Sequence, residues 1–379
     1  MLRNWNVPRI IAVCMAGFVL GQLSLRSASA QQENGSSEPV VRTKTFLHEN
    51  GQKLSEGKLV DDVRDGLWTW WYDTGEEFAH LTYDMGTPVG TERHLSRTGE
   101  VVTTGEYRDG KEFNGSFVDF TGSLQVTSLR RYKDGNAHGE WQWWHEDGSV
   151  NIEGEFVDGN KNGLWTWYYP NGQKFAESNF DHGTMVKTES HWSENGDLVS
   201  TGEYRNGEPW TGTFLEFLGA ELVVTSQRSF LQGEPHGDWV WKFDDGTLNT
   251  TGAFVSGNKD GKWEWWYPSG EKYAETEFAN GVSKGRLSYY AENGVLLAEG
   301  IYDAQGKEVD GIFVDFTGEL ELTAQRSWKN GMRDGFWIEW HENGQPKSEA
   351  QYSEDRQVGT SLTWNEQGVK TSEERFTGQ

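Results

Sequence analysis

Cysteine is nearly missing from this 379-residue chain: Cys14 is the only one. It lies within an apolar stretch near the N-terminus, so the body of the protein has no disulfide staple, thiolate nucleophile or cysteine-based zinc site. Branched aliphatic side chains are also scarce, with only six Ile. The longest apolar run, Ile10 to Leu20, falls short of the ~20 residues a spanning helix needs. Positive charge is short as well. Lys and Arg number 34 against 59 Asp and Glu, a formal charge of −25, which excludes an electrostatic grip on nucleic acid and disfavours an anionic membrane surface. What the chain has instead is 20 Trp, 13 Tyr, 19 Phe and 47 Gly. It must therefore fold around aromatic rings, which carry large apolar surface at modest entropy cost.

The N-terminus reads as an address. Arg3 and Arg9 precede the apolar run, and Ala28-Ser29-Ala30 supplies the small residues a signal peptidase requires. Residues 1–30 are expected to be a secretory signal and residues 31–40 a flexible linker rich in Ser, Gly and Glu. Cleavage after Ala30 would remove Arg3, Arg9, Arg26 and no acid, taking the formal charge from −25 to −28. An exported protein, periplasmic, extracellular or held at the cell envelope, is the expectation.

From residue 41 onward the chain repeats. Turn glycines stand at 51, 75, 99, 122, 148, 172, 196, 219, 246, 270, 294, 318, 344 and 368, giving about fourteen units of about 24 residues. Four units form a block of about 98 residues: 154–183 and 252–281 are identical at 17 of 30 positions. Within a strong unit, Trp165, Trp167 and Tyr169 recur at spacing two, followed by Pro170-Asn171-Gly172 and a second alternating segment. Period two around a Gly-containing turn is the signature of a β-hairpin. Alternation puts Trp165, Trp167 and Tyr169 on one face and Leu164, Thr166 and Tyr168 on the other. No helical periodicity follows residue 40, so the expected fold is all-β: an open elongated array of about fourteen tandem antiparallel hairpins over residues 41–379. Units 41–62 and 359–379 lose the Trp pairs and read as polar caps. A closed propeller is the architectural alternative, disfavoured by a block of 98 residues where paired units would give 49.

The unit Gly163-Leu164-Trp165-Thr166-Trp167-Tyr168-Tyr169-Pro170-Asn171-Gly172, with Glu177, Phe180 and Gly183, resembles the bacterial variant of the MORN repeat. The pattern returns at 66–86, 139–159, 237–257 and 261–281, and more loosely at 285–306 and 335–359. The fourth unit of each block departs from it, placing Phe117, Phe214 or Phe313 where Trp is expected. The resemblance implies elongated hairpin arrays that mediate protein contacts or membrane association, sometimes as an accessory to an enzyme domain; bacterial members are often labelled antitoxins, a label of cytoplasmic contexts that an export signal does not fit.

Candidate sites follow from the repeat. Trp68, Trp70, Trp141, Trp143, Trp165, Trp167, Trp239, Trp241, Trp263 and Trp265 occupy one pair of positions and are expected to form the core between repeats. Trp71, Trp144 and Trp266, one residue out of phase, are the candidates for an exposed binding face, for a peptide or an envelope glycan. His48, His145 and His341 share a block position with Phe243, and His138 and His236 share another with Asp334, which argues against catalysis or metal binding there. Asp158 to Gly163 matches the first half of a calcium loop, but Tyr169 stands where the closing glutamate is needed, so an inter-hairpin turn is expected; weak calcium binding stays open. No phosphate loop, Gly-x-Ser-x-Gly or His-Glu-x-x-His occurs. The expectation is a non-catalytic, cofactor-free interaction scaffold with protein partners, and the alternative is a carbohydrate-binding aromatic repeat protein.

Overall fold

The structure is a computed structural model that describes residues 38–219, 222–317 and 321–377. The signal and most of the linker segment, and the turn glycine at 318, lie outside the described residues. Among those residues there are thirty-one β-strands and no helix, hence no helix long and apolar enough to cross a membrane. Three strands are two-residue pieces, Asn136–Ala137, Glu234–Pro235 and Met332–Arg333, each continued after one residue by a longer strand. The interrupting residues are His138, His236 and Asp334. Joining each piece to its continuation leaves two strands for each of fourteen hairpins. The chain divides into two compact units, one ending at Pro209 and the other starting at Trp210.

Within each unit every strand pairs antiparallel with its chain neighbour. Two kinds of turn alternate. At one edge, pairs such as Asp158-Gly159 (φ 48° and 82°) and Asn280-Gly281 (φ 50° and 81°) form two-residue turns with both residues left-handed, matching the twist of the strands they join. At the other edge the turn is longer. Tyr169 N–H donates to Gln173 O at 2.8 Å and Gly172 N–H to Tyr169 O at 2.9 Å, and of Asn171 and Gly172 only the glycine has positive φ. The tightest turn is thus at Asp158-Gly159, where the half-calcium pattern begins, and Asn160–Tyr168 is already strand. The array does not close: among the described residues Val41–Leu47 pairs only with Lys53–Val60, and Lys370–Phe376 only with Arg356–Trp364.

The core is a column of side chains, one from each hairpin except the first and the last. Up to Pro209 it comprises Trp68, Glu92, Phe117, Trp141, Trp165 and Glu189, all at most 9% exposed. From Trp210 on it comprises Phe214, Trp239, Trp263, Leu287, Phe313 and Trp337. A neighbouring column, two residues along, carries Trp70, His94, Asp119, Trp143, Trp167 and His191 in the first unit. Rings of the two columns interlock: Trp143 meets Trp165 at 6.1 Å, Trp165 meets Trp167 at 6.1 Å, and Phe156 packs edge-on to Trp165 at 5.0 Å. Such offset and edge-on contacts suit the ring quadrupole. The indole N–H of each main column Trp is also satisfied, donating to the backbone carbonyl ten residues earlier: Trp68 to Lys58, Trp141 to Arg131, Trp165 to Glu155, Trp239 to Ser229, Trp263 to Ala253 and Trp337 to Ser327, at 2.7–3.2 Å.

The fourth unit of each block keeps this geometry with Phe: Phe117 and Phe313 are 1% exposed and Phe214 is 2% exposed. The opposite face is less open than alternation alone suggests. Thr166 is only 4% exposed, because Glu153 and Glu177 flank it in register and Tyr168 hydrogen-bonds Glu153 across it at 2.7 Å.

Candidate functional site

Three features of this frame bear on function. The first is a ladder along the long-turn edge. His48, His145 and His341 place Nε2 2.8–3.0 Å from the carbonyls of Trp71, Tyr168 and Trp364. Tyr72, Tyr169 and Tyr267 donate their hydroxyls to the carbonyls of Leu95, Trp192 and Tyr290, each at 3.0 Å. Asn50, Asn171 and Asn343 donate to Asp73, Glu194 and Glu366 at 2.7–3.0 Å. Every one of these bonds reaches 23 residues ahead, to the next turn. The sequence-singled histidines at this position are therefore clasps between hairpins. His138 instead lies 3.6 Å from Asp158, and His236 accepts a long 3.5 Å bond from Ser256 N–H.

The candidate face residues Trp71, Trp144 and Trp266 are half-buried. Each stands one residue out of phase with the column and follows a register shift, after Trp70, Trp143 and Trp265 respectively. Lys53 Nζ stands 5.4 Å from the Trp71 ring. The ten core candidates divide by depth: Trp68, Trp141, Trp165, Trp167 and Trp263 are buried, whereas Trp70, Trp143, Trp239, Trp241 and Trp265 are half-buried.

The second feature is polar. In the core column Glu92 takes a Trp position and, two residues on, His94 takes another. Glu92 Oε2 accepts from Tyr107 OH at 2.7 Å, and its Oε1 lies 3.1 Å from His94 Nε2. His94 Nδ1 is 3.0 Å from Thr103 Oγ1. Burial raises the Glu92 carboxyl to about 7, against the opposing pull of the Tyr107 hydrogen bond, and lowers His94 to about 4. The pair therefore favours neutral acid beside neutral imidazole. Beside it, Arg130 bridges Glu112 at 2.9 Å and Asp119 at 2.7 Å. One block later Glu189, Tyr204, His191 and Ser200 repeat the constellation, with Tyr204 OH donating to Glu189 at 2.8 Å and His191 Nδ1 3.1 Å from Ser200 Oγ. The motif readings passed over these residues. Their signal was Glu-x-His at 92–94 and 189–191, breaking the Trp-x-Trp rhythm at block spacing.

The third feature appears where the third block gives up that pair. Leu287 and Tyr289 replace the Glu and His while Tyr302 keeps the tyrosine, and a cleft of about 230 Å³ opens there, lined by Trp265, Tyr273, Phe278, Leu287, Tyr289 and Tyr302 among others. No group of His, Cys, Asp or Glu suited to a metal ion occurs among the described residues.

With hairpin, glycine and Trp geometry in place, the repeat can be matched. Residues 137–158, 161–182, 259–280 and 333–354 match the model of the MORN repeat variant. The chain carries MORN-variant repeats. The hairpins at 66–86 and 237–257 share the strand and turn geometry of the matched stretches. No curated protein gives a significant match. Among solved structures, the chain is similar to one titled "Crystal Structure of TcdB2-TccC3-Cdc42" at 14% identity, covering 86% of this chain and 19% of that one, with a TM-score of 0.17. The pore structure of the Photorhabdus luminescens Tc holotoxin gives 12% identity over 86% of this chain and 19% of that one, also at 0.17. This chain thus spans about a fifth of the length of those it matches.

Proposed function

We propose that this MORN-variant repeat protein is an exported, non-catalytic scaffold that docks other proteins at the cell envelope. The supporting observation is a set of apolar pairs exposed at one block position: Val101-Val102, Leu198-Val199 and Leu296-Leu297, each residue 49–63% exposed. On a surface this acidic, apolar side chains recurring at block spacing fit docking points better than chance exposure. The packed aromatic column and turn ladder would hold such points on a rigid frame. Glu92 and His94 are 7% and 3% exposed, which fits a packing role in the column.

The test is photo-crosslinking from position 102 in the native envelope. A discrete protein adduct that disappears in Val199→Asp/Leu297→Asp supports docking along the array. A diffuse or unchanged adduct pattern would count against it. Export is tested separately by N-terminal sequencing of the protein from cells, with Gln31 expected as the first residue.

A further inference from the structure

Tyr302 occupies the block position of Tyr107 and Tyr204. Those two hydroxyls donate to buried carboxylates, Glu92 at 2.7 Å and Glu189 at 2.8 Å. In the third block the carboxylate is replaced by Leu287, which is 6% exposed, and Tyr302 has no hydrogen-bond partner among the described residues. Tyr273 and Tyr289 share this condition, unlike Tyr267 and Tyr290, which donate to Tyr290 O and Glu275. All three unpartnered tyrosines line the 230 Å³ cleft, together with Trp265, Phe278, Thr276 and Ser283. Burial raises all three phenols, Tyr302 to about 12, so each remains a proton donor at neutral pH. Aromatic rings beside unsatisfied hydroxyls describe a pocket that is apolar in area and polar at a few points, the usual make-up of a small-molecule site.

Charge narrows the ligand. No carboxylate and no basic side chain lines the cleft. Lys259 Nζ already stands 5.3 Å from the Trp265 ring and 5.0 Å from Phe278, so a second cation on those rings meets like charge. On the other side, Glu308 and Asp315 beside the tyrosines are engaged by Arg326, and their field opposes an anion. A neutral ring bearing several hydroxyls fits both constraints: its C–H face packs on aromatic rings and its hydroxyls pair with the phenols.

We propose that this cleft binds one neutral pyranose residue of a glycan, packed against Trp265 and hydrogen-bonded by Tyr289 and Tyr302. The site is distinct from Trp71, Trp144 and Trp266, and stands independently of the protein-docking reading. In the first two blocks, a Glu-His pair occupies the positions of Leu287 and Tyr289.

The experiment is titration of the full chain with neutral gluco-, manno-, galacto- and N-acetylated tetrasaccharides, followed by tryptophan fluorescence and calorimetry. Tetramethylammonium chloride and glucuronate serve as cationic and anionic controls. At least one neutral series is expected to saturate with one site per chain. Tyr302→Phe, which keeps the ring, should weaken that binding about five- to tenfold, the effect of one lost hydrogen bond. Leu287→Glu/Tyr289→His, which installs the pair found in the other blocks, should abolish it. The proposal is overturned if no neutral saccharide saturates, if either charged control binds more tightly, or if binding survives unchanged in both variants. Loss of docking in the crosslinking test would leave it standing.

Discussion

The indole of Trp165 lies directly on the Cα of Gly154: a Cβ built there would come within 2.3 Å of the Trp165 ring. Gly57 under Trp68, at 2.3 Å, and Gly252 under Trp263, at 2.2 Å, stand in the same relation, and Gly105 and Gly300 do so under Phe117 and Phe313, at 2.4 and 2.5 Å. Each glycine is on the strand preceding its ring, so the missing side chain on one strand makes room for the aromatic on the next.

Gly154→Ala should therefore destabilise by about 3 kcal/mol, since the neighbour is a locked core ring and overpacking cannot be relieved by a flexible tip. Because repeats couple mainly to their neighbours, the loss should be concentrated near residues 141–180. Hydrogen exchange resolved by residue checks this; a loss spread evenly over all hairpins would contradict the nearest-neighbour picture.

Lys187 holds φ at 58° where the preceding unit has Gly163 at 71° and the same position one block earlier has Gly90 at 70°. A lysine there bears the steric penalty of the left-handed region, which glycine avoids. Lys187→Gly should stabilise by about 0.5 kcal/mol after the added freedom of the unfolded chain is counted. A shift of the urea midpoint to higher concentration, at constant slope, is the expected reading.

The Glu92–His94 pair gives a pH prediction whose signs oppose. Glu92 is raised from 4.5 to about 7 by burial, so its neutral form stabilises the fold fully below 4.5 and that contribution is lost as pH rises to 7. His94 is lowered from 6.5 to about 4 by burial, with His80 adding to it, so its contribution is present above 6.5 and is lost as pH falls to 4. Between 4.5 and 6.5 the folded pair and the unfolded pair each hold one proton, and the two slopes cancel. His94→Gln should unmask a stability that falls as pH rises from 4.5 to 7, and Glu92→Gln one that falls as pH drops from 6.5 to 4. Glu112, Asp119 and Arg130 remain in both variants, so denaturation midpoints across pH, compared with the parent, isolate the pair.

Arg130 holds two carboxylates, Glu112 and Asp119, at 2.9 and 2.7 Å, with its side chain 22% exposed. Arg130→Met leaves both without their cation and should cost about 2 kcal/mol, less than a fully buried pair because water reaches part of the cluster. The loss should shrink at acid pH, where the Glu112 carboxyl, pushed up by burial, takes up a proton; equal loss at acid and alkaline pH would argue that packing of the arginine stem carries the effect.

Much of the architecture was legible before any coordinates. The period of about 24 residues, the hairpins and the Trp core follow from spacing, because strand alternation and turn chemistry are local. The site was legible only in part. Trp-x-Trp announced the core, yet nothing in a single unit distinguishes Glu92 as buried from Glu106 as exposed. Trp71, Trp144 and Trp266 are half-buried and sit next to a register shift, neither of which a count of alternating residues contains.

The sequence by itself determined the repeat, the antiparallel pairing and the choice of aromatic over aliphatic core, since these rest on periodicity and on residue types that permit only certain turns. Tertiary structure decided which glycines seat rings, which histidines clasp the next turn and which tyrosines lose their partners. Those outcomes belong to residues ten to twenty-three positions apart, brought together by neighbouring strands. Substituting Leu287 for a glutamate looks conservative of nothing along the chain, and only the packed sheet turns it into a cleft beside Tyr302.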